Sequence, residues 1–463
     1  MWKWEEIKVN PFIPPFLSYA LGYHFSPALN KNTMKLANIF GLICLSAFLV
    51  NCSDDSAPVE PDIPDTSEVV DAQYQVAQLT ITTENAAPII SKDKKDYVNC
   101  TISIESKKEE WNYTGTGRIR GRGNSTWLWY PKKPYRIKLD KKSEILGLAT
   151  EKDWVLLANY RDPTHMMNTF TFIAGQQLEL PHINHSRYVE VTLNGDYIGL
   201  YQLTEQVEQG SSRVAVDDEQ GMLISLDADD GPELNPDGGD NFWSTVYKMP
   251  ICVKYPEDAT TNQLKAVQND FARLEQSIYE SNYEATSKLM NIASFIDYML
   301  IQELVYNVEV DAPRSIYMHK DKEGLWTMGP LWDFDAGFDF DWGTMYTGHN
   351  FFTSYRELVL GTDPASHIGG YYVPSFFTDL FKNKRFVSEY KARWQTIRDK
   401  IMSDFWKETN IFVTSCSEAM KRNAERWPID KDYQTEISRM KQWLQQRTDY
   451  LDTVIKNYPS GTK

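Results

Sequence analysis

The sequence predicts an α+β protein whose first half is rich in strands and whose second half is rich in helices. Between residues 77 and 226, short runs alternate apolar with polar side chains, as strands with one buried face do. From residue 264 onward, apolar side chains recur every three or four positions, as on one face of a helix. Strands that precede the helices, rather than alternating with them, favour α+β over a doubly wound sheet.

The first half contains the predicted strands. They cover residues 79–82, 100–104, 118–120, 135–139, 154–158 and 188–193. Two alternating runs flank Asn194 and Gly195, a pair that favours a type I′ turn because both turn positions take positive φ. We therefore expect a hairpin with a fixed register at this point.

The second half begins with a helix whose apolar face carries Leu264, Val267, Phe271, Leu274 and Ile278. Further helices are predicted over residues 292–306, 375–403 and 436–455. Residues 227–245 are polar and contain glycine and proline, so they predict a surface loop. A strand-rich lobe and a helix-rich lobe would place a ligand in the cleft between them.

The N-terminal part predicts a leader and a tether. An apolar run over residues 36–50 follows Lys35 and leads to Cys52, the layout of a bacterial lipoprotein signal, although a retained transmembrane anchor is the alternative. With Met34 as the start, the residues before it are an upstream extension. Residues 53–72 carry seven acids, three prolines and no base, so they predict an extended tether behind a lipidated Cys52.

Charge and cysteine content exclude several classes of protein. The chain of 463 residues has a formal net charge of −16, which argues against nucleic acid as a partner. Beyond Cys52, the cysteines Cys100, Cys252 and Cys416 are widely separated, so they do not form a zinc or redox motif. His182 and His185 form an HxxH pattern that suits either a metal site or structural roles.

A basic stretch interrupts this acidic chain. Gly121 and Gly123 allow the backbone to approach a ligand closely, and arginine and lysine neutralise phosphate oxygens. The stretch therefore predicts either an anion-binding segment or a solvated cationic hairpin. Between residues 118 and 142, a single acid, Asp140, accompanies nine cations: Arg118, Arg120, Arg122, Lys132, Lys133, Arg136, Lys138, Lys141 and Lys142.

A cluster of acids comes later in the chain. Glu309 and Asp311 follow the helix predicted over 292–306, and Asp333 and Asp335 share a face if the chain there is extended. Mg²⁺ takes one or two carboxylates together with phosphate oxygens. A DxD pattern alone also occurs in glycosyltransferases and calcium loops. Together with the basic stretch, however, it supplies both halves of a phosphoryl-transfer site.

Five motifs in order resemble the spore coat protein H (CotH) kinase family, whose members are atypical relatives of protein kinases. They are RGRGNSTW, PKKPYRIKL, LLANYRDP, LNGDYIGLYQLTEQV and PLWDFDAGF, and WLQQRTDYLD is similar to the closing helix of the family. The resemblance covers residues 79–451. It implies a two-lobed, atypical kinase-like fold that binds ATP with Mg²⁺ or Mn²⁺.

The resemblance also implies roles for individual residues. Lys138 would contact the α and β phosphates, with Lys133 as second choice, and Glu205 would orient that lysine as an ion-pair partner. Asp333, together with Asp335, would hold the metal ion. The phosphate side would be lined by Arg120, Arg122, Asn124 and Ser125.

The catalytic acid is left open between two residues. The family commonly has Asn-x-Asp after the helix, where this chain has Asn307, Val308 and Glu309, with Asp311 two positions further on. Asp311 comes first for its residue type and Glu309 a close second for its position. Met167 stands where the family often has arginine, and Ser225 where an acid is common, so these departures put the activity in question.

The resulting hypothesis is a kinase of the cell envelope that phosphorylates hydroxyls of extracytoplasmic proteins and is held to the membrane through Cys52. The alternatives are a surface lipoprotein that binds protein or glycan without catalysis, and a DxD glycosyltransferase. The predicted organisation is a leader over 1–51, a tether over 52–74, a β-rich nucleotide-binding lobe over 75–226, a connector over 227–260 and a helix-rich catalytic lobe over 261–463.

Overall fold

The strands of the first half form a closed barrel. The computed structural model describes residues 71–228, 240–310, 313–338, 355–360, 375–429 and 432–461. The leader, Cys52, most of the tether and Asp311 lie outside these ranges. The described residues confirm the α+β prediction. The barrel strands are β1 (Ala77–Thr83), β2 (Val98–Glu105), β3 (Tyr113–Gly121), β4 (Tyr135–Ile145), β5 (Leu148–Leu157), β6 (Ser186–Leu193) and β7 (Asp196–Glu205).

Closure of the barrel depends on one parallel pair. The strands follow the order β1-β2-β3-β4-β5-β7-β6, and neighbours along this order pair antiparallel. Strand β6 then pairs parallel with β1, with Leu79 opposite Val191. Closure leaves no unpaired edge in this sheet, so its backbone groups are satisfied internally.

Strand β4 divides the basic stretch between two faces of the barrel. Tyr135, Ile137 and Leu139 are buried in the barrel interior, whereas Arg136 and Lys138 are partly exposed on the alternate face. This alternation is the one that the sequence predicts for residues 135–139.

The predicted hairpin joins β6 to β7. Asn194 and Gly195 have φ values of 52° and 82°, as a type I′ turn requires. Leu193 lies opposite Asp196, so the turn has two residues. The Asn194 side chain also accepts a hydrogen bond of 2.8 Å from the Thr83 backbone N–H, which ties the turn to the end of β1.

A second sheet lies outside the barrel, with the order β12-β11-β8-β10-β9. Its strands are β8 (Met222–Leu226), β9 (Asn241–Trp243), β10 (Pro250–Tyr255), β11 (Ile316–Lys320) and β12 (Thr327–Met328). The prediction of a loop over all of 227–245 is therefore wrong for β9, which pairs with β10. Residues 229–239 of that loop lie outside the described residues.

The helices cover most of the second half. They are α1 (Ser125–Trp129), α2 (Met167–Gln177), α3 (Thr261–Tyr279), α4 (Tyr283–Ser287), α5 (Ile292–Val305), α6 (Ser375–Thr378), α7 (Lys384–Arg398), α8 (Lys407–Arg426) and α9 (Tyr433–Lys456). A π-helical turn, Ile401–Trp406, leads into α8. Within the described ranges, every helix is too short or too polar to span a membrane.

Local capping explains most helix starts and one error of prediction. Thr260 and Gln263 form a capping box at α3, and Asn291 caps α5. The pattern over 375–403 predicts one helix, but the Asn383 side chain accepts the backbone N–H groups of Arg385 and Phe386 and so begins a new helix, α7.

Helix α8 fastens the helical half to the barrel. The Asn423 Oδ1 atom accepts hydrogen bonds from the Leu200 backbone N–H at 3.1 Å and from Lys132 Nζ at 2.8 Å. Arg422 forms a bidentate pair with Glu190 on β6, with both distances 2.7 Å. Leu200, on the outside of the barrel, belongs to the larger core that surrounds the helices. All described residues fall within one compact unit.

One buried ion pair organises the centre of the helical half. Arg447 on α9 and Glu303 on α5 are both fully buried, and their side chains lie 2.8 Å apart. Arg447 also donates to the carbonyl oxygens of Glu303, Tyr355 and Glu357. The Glu303 carboxylate accepts the backbone N–H groups of Val359 and Leu360. The pair therefore holds residues 355–360 between two helices.

We predict that Arg447→Met lowers the free energy of unfolding by about 3–5 kcal/mol, because it leaves Glu303 buried without its counter-charge. Burial already raises the pKa of Glu303 to about 7, and Arg447 opposes that rise. The control is Lys456→Met on the same helix, whose exposed ammonium group lies 3.5 Å from Asp452 and whose loss costs at most about 1 kcal/mol. Urea unfolding measures both, and equal losses would refute the central role of Arg447.

Candidate active site

The segment that carries Asp333 and Asp335 is fixed from both sides. The Phe334 backbone N–H, between the two acids, donates to the Asn168 side chain at 2.9 Å, and Phe334 itself is fully buried. Asp333 has a φ of 65°, in the left-handed region, so the segment is not the regular extended chain that the sequence suggests. The two acids nevertheless interact, because burial raises the pKa of Asp333 and the charge of Asp335 raises it further.

Helix α2 positions this segment. The Asp162 carboxylate accepts the backbone N–H groups of Thr164 and Met167, both at 2.9 Å, and so holds the start of the helix. Asn168 follows in the first turn and is buried. The residue that contacts Phe334 is thus anchored by its own helix terminus.

Arginines surround the acids. Arg161 is 3% exposed, and its Nη1 atom lies 3.6 Å from Asp335 Oδ1. The Arg122 guanidinium lies over the Trp332 ring at 5.4 Å, and its charge lowers the pKa of Asp333. Arg122 belongs to the basic stretch, so one of the nine cations reaches the later acids.

Glu309 is the third carboxyl of the cluster. It lies in a single 3₁₀ turn after α5 and is 7% exposed. Burial raises its pKa well above the ordinary value, and the charges of Asp333 and Asp335 raise it further, whereas Arg314 and Arg161 lower it. Its Oε2 atom has no hydrogen-bond partner among the described residues.

Several acids and cations therefore converge from distant parts of the chain. Burial raises the pKa of Asp333 to about 6, and Ser315 Oγ donates to Asp333 at 3.3 Å. Together these groups form what we call the carboxylate cluster, made of Glu309, Asp333 and Asp335 with Arg122, Arg161 and Arg314. Asp311, the other choice for the catalytic acid, lies outside the described residues.

The predicted ion pair of Lys138 with Glu205 is wrong. Lys138 Nζ lies 3.1 Å from Asp153 Oδ2, and Glu205 accepts from the His185 backbone N–H at 2.7 Å. The register explains the error, because Lys138 lies opposite Asp153, whereas Glu205 lies opposite Trp154, whose ring fills the barrel interior. Cross-strand partners share a face, so the two charges belong to opposite faces.

Other predicted phosphate ligands make bonds within the barrel region. Arg120 is buried and donates to the carbonyl oxygens of Lys92 and Gly121. Lys133 Nζ donates to the Trp127 carbonyl oxygen at 2.6 Å. Asn124 accepts from Lys92, and Ser125 begins α1 without capping by that asparagine. Of the predicted ligands, Arg122 is the one whose charge acts on the acids.

The two histidines of the HxxH pattern diverge. The His182 ring contacts His319 with ring centroids 4.9 Å apart, whereas His185 faces Glu205. Among the described residues, no group of three histidine, cysteine or acidic side chains has the arrangement of a metal site.

The carboxylate cluster nevertheless has the chemistry of a divalent-cation site. Mg²⁺ needs only one or two protein carboxylates when phosphate oxygens complete its shell. Asp333 and Asp335 supply hard oxygen donors, and Glu309 Oε2 is a buried oxygen without a partner among the described residues. Burial raises the pKa of Asp333 and the charge of Asp335 raises it further, so a cation bound beside these acids would favour their ionised forms.

Sequence reasoning missed Arg161 and Asn168 as parts of the site. Arg161 lies within LLANYRDP, a motif that the sequence singles out without assigning it a chemical role. Asn168 adjoins Met167, whose departure from the family pattern is visible in the sequence. Both residues act through tertiary contacts with residues 334 and 335, more than 160 positions away.

We predict that Asp333→Asn stabilises the protein by on the order of 2 kcal/mol at about pH 8. The folded-state pKa is raised from 3.8 to about 6, so ionised Asp333 opposes folding above pH 6. This cost disappears as the pH falls toward 4, and the gain from asparagine shrinks with it. Chemical unfolding across that range measures the difference, with Asp449→Asn on the exposed side of α9 as control. A gain independent of pH would contradict this origin.

The comparisons with known proteins agree with the motifs. No curated protein matches the chain. The family model described as CotH kinase protein matches residues 119–451, from within β3 to within α9, and so covers the carboxylate cluster and most of the chain. A match of this extent shows the family, and the chain belongs to the CotH kinase family.

Proposed function

We propose that the protein transfers the γ-phosphoryl group of ATP to a hydroxyl of a protein acceptor outside the cytoplasm. One observation carries the proposal: the Arg122 guanidinium, from the basic stretch, lies over the Trp332 ring, next in the chain to Asp333 of the late acidic motif, and its charge lowers the pKa of that acid. A phosphoryl-transfer site needs cations for the phosphates and carboxylates for a metal ion in one place. The barrel and the helical part would then correspond to the two lobes of an atypical kinase.

Arg122, Arg161 and Arg314 are the groups that we assign to the phosphates. Arginine stays charged when it is partly dehydrated and matches phosphate oxygens with paired N–H donors. Arg136 lies close enough to Arg122 to lower its pKa, and Arg136 shares Asp153 with Lys138. Lys138 is therefore linked to these arginines only through Asp153 and Arg136, and we assign it a secondary role in phosphate binding.

Asp333 and Asp335 are the residues that we expect to hold Mg²⁺ or Mn²⁺. When bound, such an ion neutralises phosphate charge in the transition state. The protein contributes the geometry: Asn168 fixes the backbone between the two acids, and Ser315 orients one oxygen of Asp333.

Glu309 is our candidate for the acid that receives the acceptor's proton. In the transfer, the acceptor oxygen forms a bond to the γ-phosphorus, and the bond from that phosphorus to the β–γ bridging oxygen breaks. The bond's electron pair leaves with ADP, and the acceptor's proton passes to the carboxylate. A base must be ionised to act, so the raised pKa of Glu309 requires positive charge near the cluster or a higher pH.

The site of action is part of the proposal. The leader and Cys52 predict a lipid-anchored protein of the cell envelope, with the acidic tether between the anchor and the barrel. The acceptor would then be a protein on the same side of the membrane.

A second candidate is a binding lipoprotein that keeps the fold without the chemistry. Met167 stands where the family often has arginine and is fully buried in the larger core. Because methionine is uncharged, this position adds no cation to the cluster. Ser225, where an acid is common, is also fully buried, and its Oγ has no partner among the described residues. Metal-dependent binding of ATP by calorimetry would count against this candidate.

We predict that Asp333→Ala lowers phosphoryl transfer from labelled ATP to protein acceptors, or to the protein itself, by about 10²-fold or more. The reason is the loss of a carboxylate that we expect to hold the metal ion. Asp449→Ala, which removes an exposed carboxylate from α9, serves as the matched control and should keep full activity. Equal activity of both variants would refute the assignment of the site.

We predict that Glu309→Gln lowers the rate by about 10²-fold and removes a rise of rate with pH. The wild-type rate should increase as the pH passes through the raised pKa of Glu309, because only the ionised form accepts a proton. Rate–pH profiles of wild type, Glu309→Gln and Asp311→Asn measure this. A rise that survives in Glu309→Gln and vanishes in Asp311→Asn would assign the role to Asp311 instead.

A further inference from the structure

A groove of about 580 Å³ lies at the far end of α2 and α5 from the carboxylate cluster. We call it the distal groove. Its walls are the segment that follows α2, with Leu178 and Leu180, and the first turns of α5, with Ile292 and Ile296. Its size falls within the range of ligand-binding clefts, and its walls are largely apolar.

The charge that remains in the distal groove is negative. Arg393 lines the groove, but Asp297 engages it through two bonds of 2.6 and 2.8 Å. Glu179 is exposed at the groove, and its charge acts on the same Arg393 that Asp297 already binds. Glu389, also lining the groove, is paired with Arg385, which lies outside it. Three carboxylates and one arginine therefore line the groove, so an occupant with a cation beside an apolar side chain complements it in charge and polarity.

The groove is rigidly connected to the site. Helix α5 begins at the groove with Ile292 and ends at Val305, shortly before Glu309. Thirteen steps of 1.5 Å place the two ends roughly 20 Å apart. Helix α2 makes the same connection, since Asn168 in its first turn contacts Phe334 and Leu178 ends it at the groove. An extended peptide spans roughly 20 Å with about six residues.

We propose that the distal groove docks a segment of the acceptor protein that carries a lysine or arginine beside an apolar side chain, at least about six residues from the phosphorylated hydroxyl. The proposal rests on the proposed function, because only an enzyme of this kind has an acceptor. The apolar side chain packs between Leu180 and Ile296, and the cation faces Glu179. Binding of this segment in the groove would hold the acceptor on the enzyme, so that a serine at the right spacing along the same chain reaches the carboxylate cluster.

Binding is tested first, without ATP. The probe is a short fluorescein-labelled peptide of alternating leucine and lysine, compared with a peptide in which glutamate replaces lysine, by fluorescence anisotropy with the full chain. We expect the basic peptide to bind and Glu179→Lys to weaken it about fivefold or more. Ala293→Trp, which fills the groove from an exposed position, should weaken it as well. Glu425→Lys makes the same charge change at an exposed position on α8 and should leave binding unchanged.

Transfer provides the second readout. A serine placed about eight residues from the leucine–lysine cluster should have a lower KM than one placed about three residues away. Glu179→Lys should raise the KM of the first peptide and leave its kcat unchanged, because the groove does not touch the reacting atoms. Asp333→Ala should remove transfer and leave binding of the peptide intact.

The two proposals fail in different ways. If the basic peptide binds through Glu179 but no transfer occurs with any acceptor, the docking groove stands and the kinase assignment fails. If transfer occurs but Glu179→Lys and Ala293→Trp behave like Glu425→Lys, the groove proposal is overturned and the kinase assignment stands. Equal binding of the acidic and basic peptides would also overturn the groove proposal.

Discussion

The repulsion among Glu309, Asp333 and Asp335 is the constraint on which the rest of the arrangement depends. These carboxyls come from the helical half, where burial raises the pKa of Asp333 and Glu309 and the charges of the neighbouring acids raise it further. Two of the cations that oppose this repulsion, Arg122 and Arg161, come from the β-rich half. The helical half supplies the carboxylates and the β-rich half supplies two of the arginines that oppose their charge, so the cluster forms where the two halves meet. The packing of the outer barrel face into the larger core makes that meeting possible.

The backbone at Asp333 is strained. Asp333 adopts a left-handed conformation, which costs a residue other than glycine about 1 kcal/mol or more. Burial of Phe334 and its hydrogen bond to Asn168 offset that cost. Because the residues of α2 from Met167 to Gly175 are buried, the helix cannot shift to relieve the strain at Asp333. The segment therefore holds its carboxylates in a fixed position before any ligand binds, as a preorganised site requires.

Sequence reasoning succeeded where the determinants are local. The Asn194–Gly195 turn and the alternation along β4 depend on residues that are close in the chain, and both were predictable. Barrel closure was not, because it pairs β1 with β6 across more than 100 residues. Helix α2 was also missed, since a helix buried on all sides has no amphipathic period. In the site, charge patterns indicated Arg122 and Asp333, whereas Arg161 and Asn168 act through single tertiary contacts that no spacing reveals.

The lysines and the arginines of the basic stretch make different contacts. Four of its five lysines contact oxygen atoms of the barrel, of α1 or of α8: Lys132 contacts Leu200 and Asn423, Lys133 contacts Trp127, Lys138 contacts Asp153 and Lys142 contacts Glu151. The cations that reach the carboxylate cluster are all arginines. Burial lowers the pKa of Lys132 well below its usual value, so a buried ammonium group in this fold depends on nearby carboxylates to keep its charge. A guanidinium group keeps its charge under such burial without that help, so arginine provides a cation that persists beside partly buried acids whether or not a ligand is present.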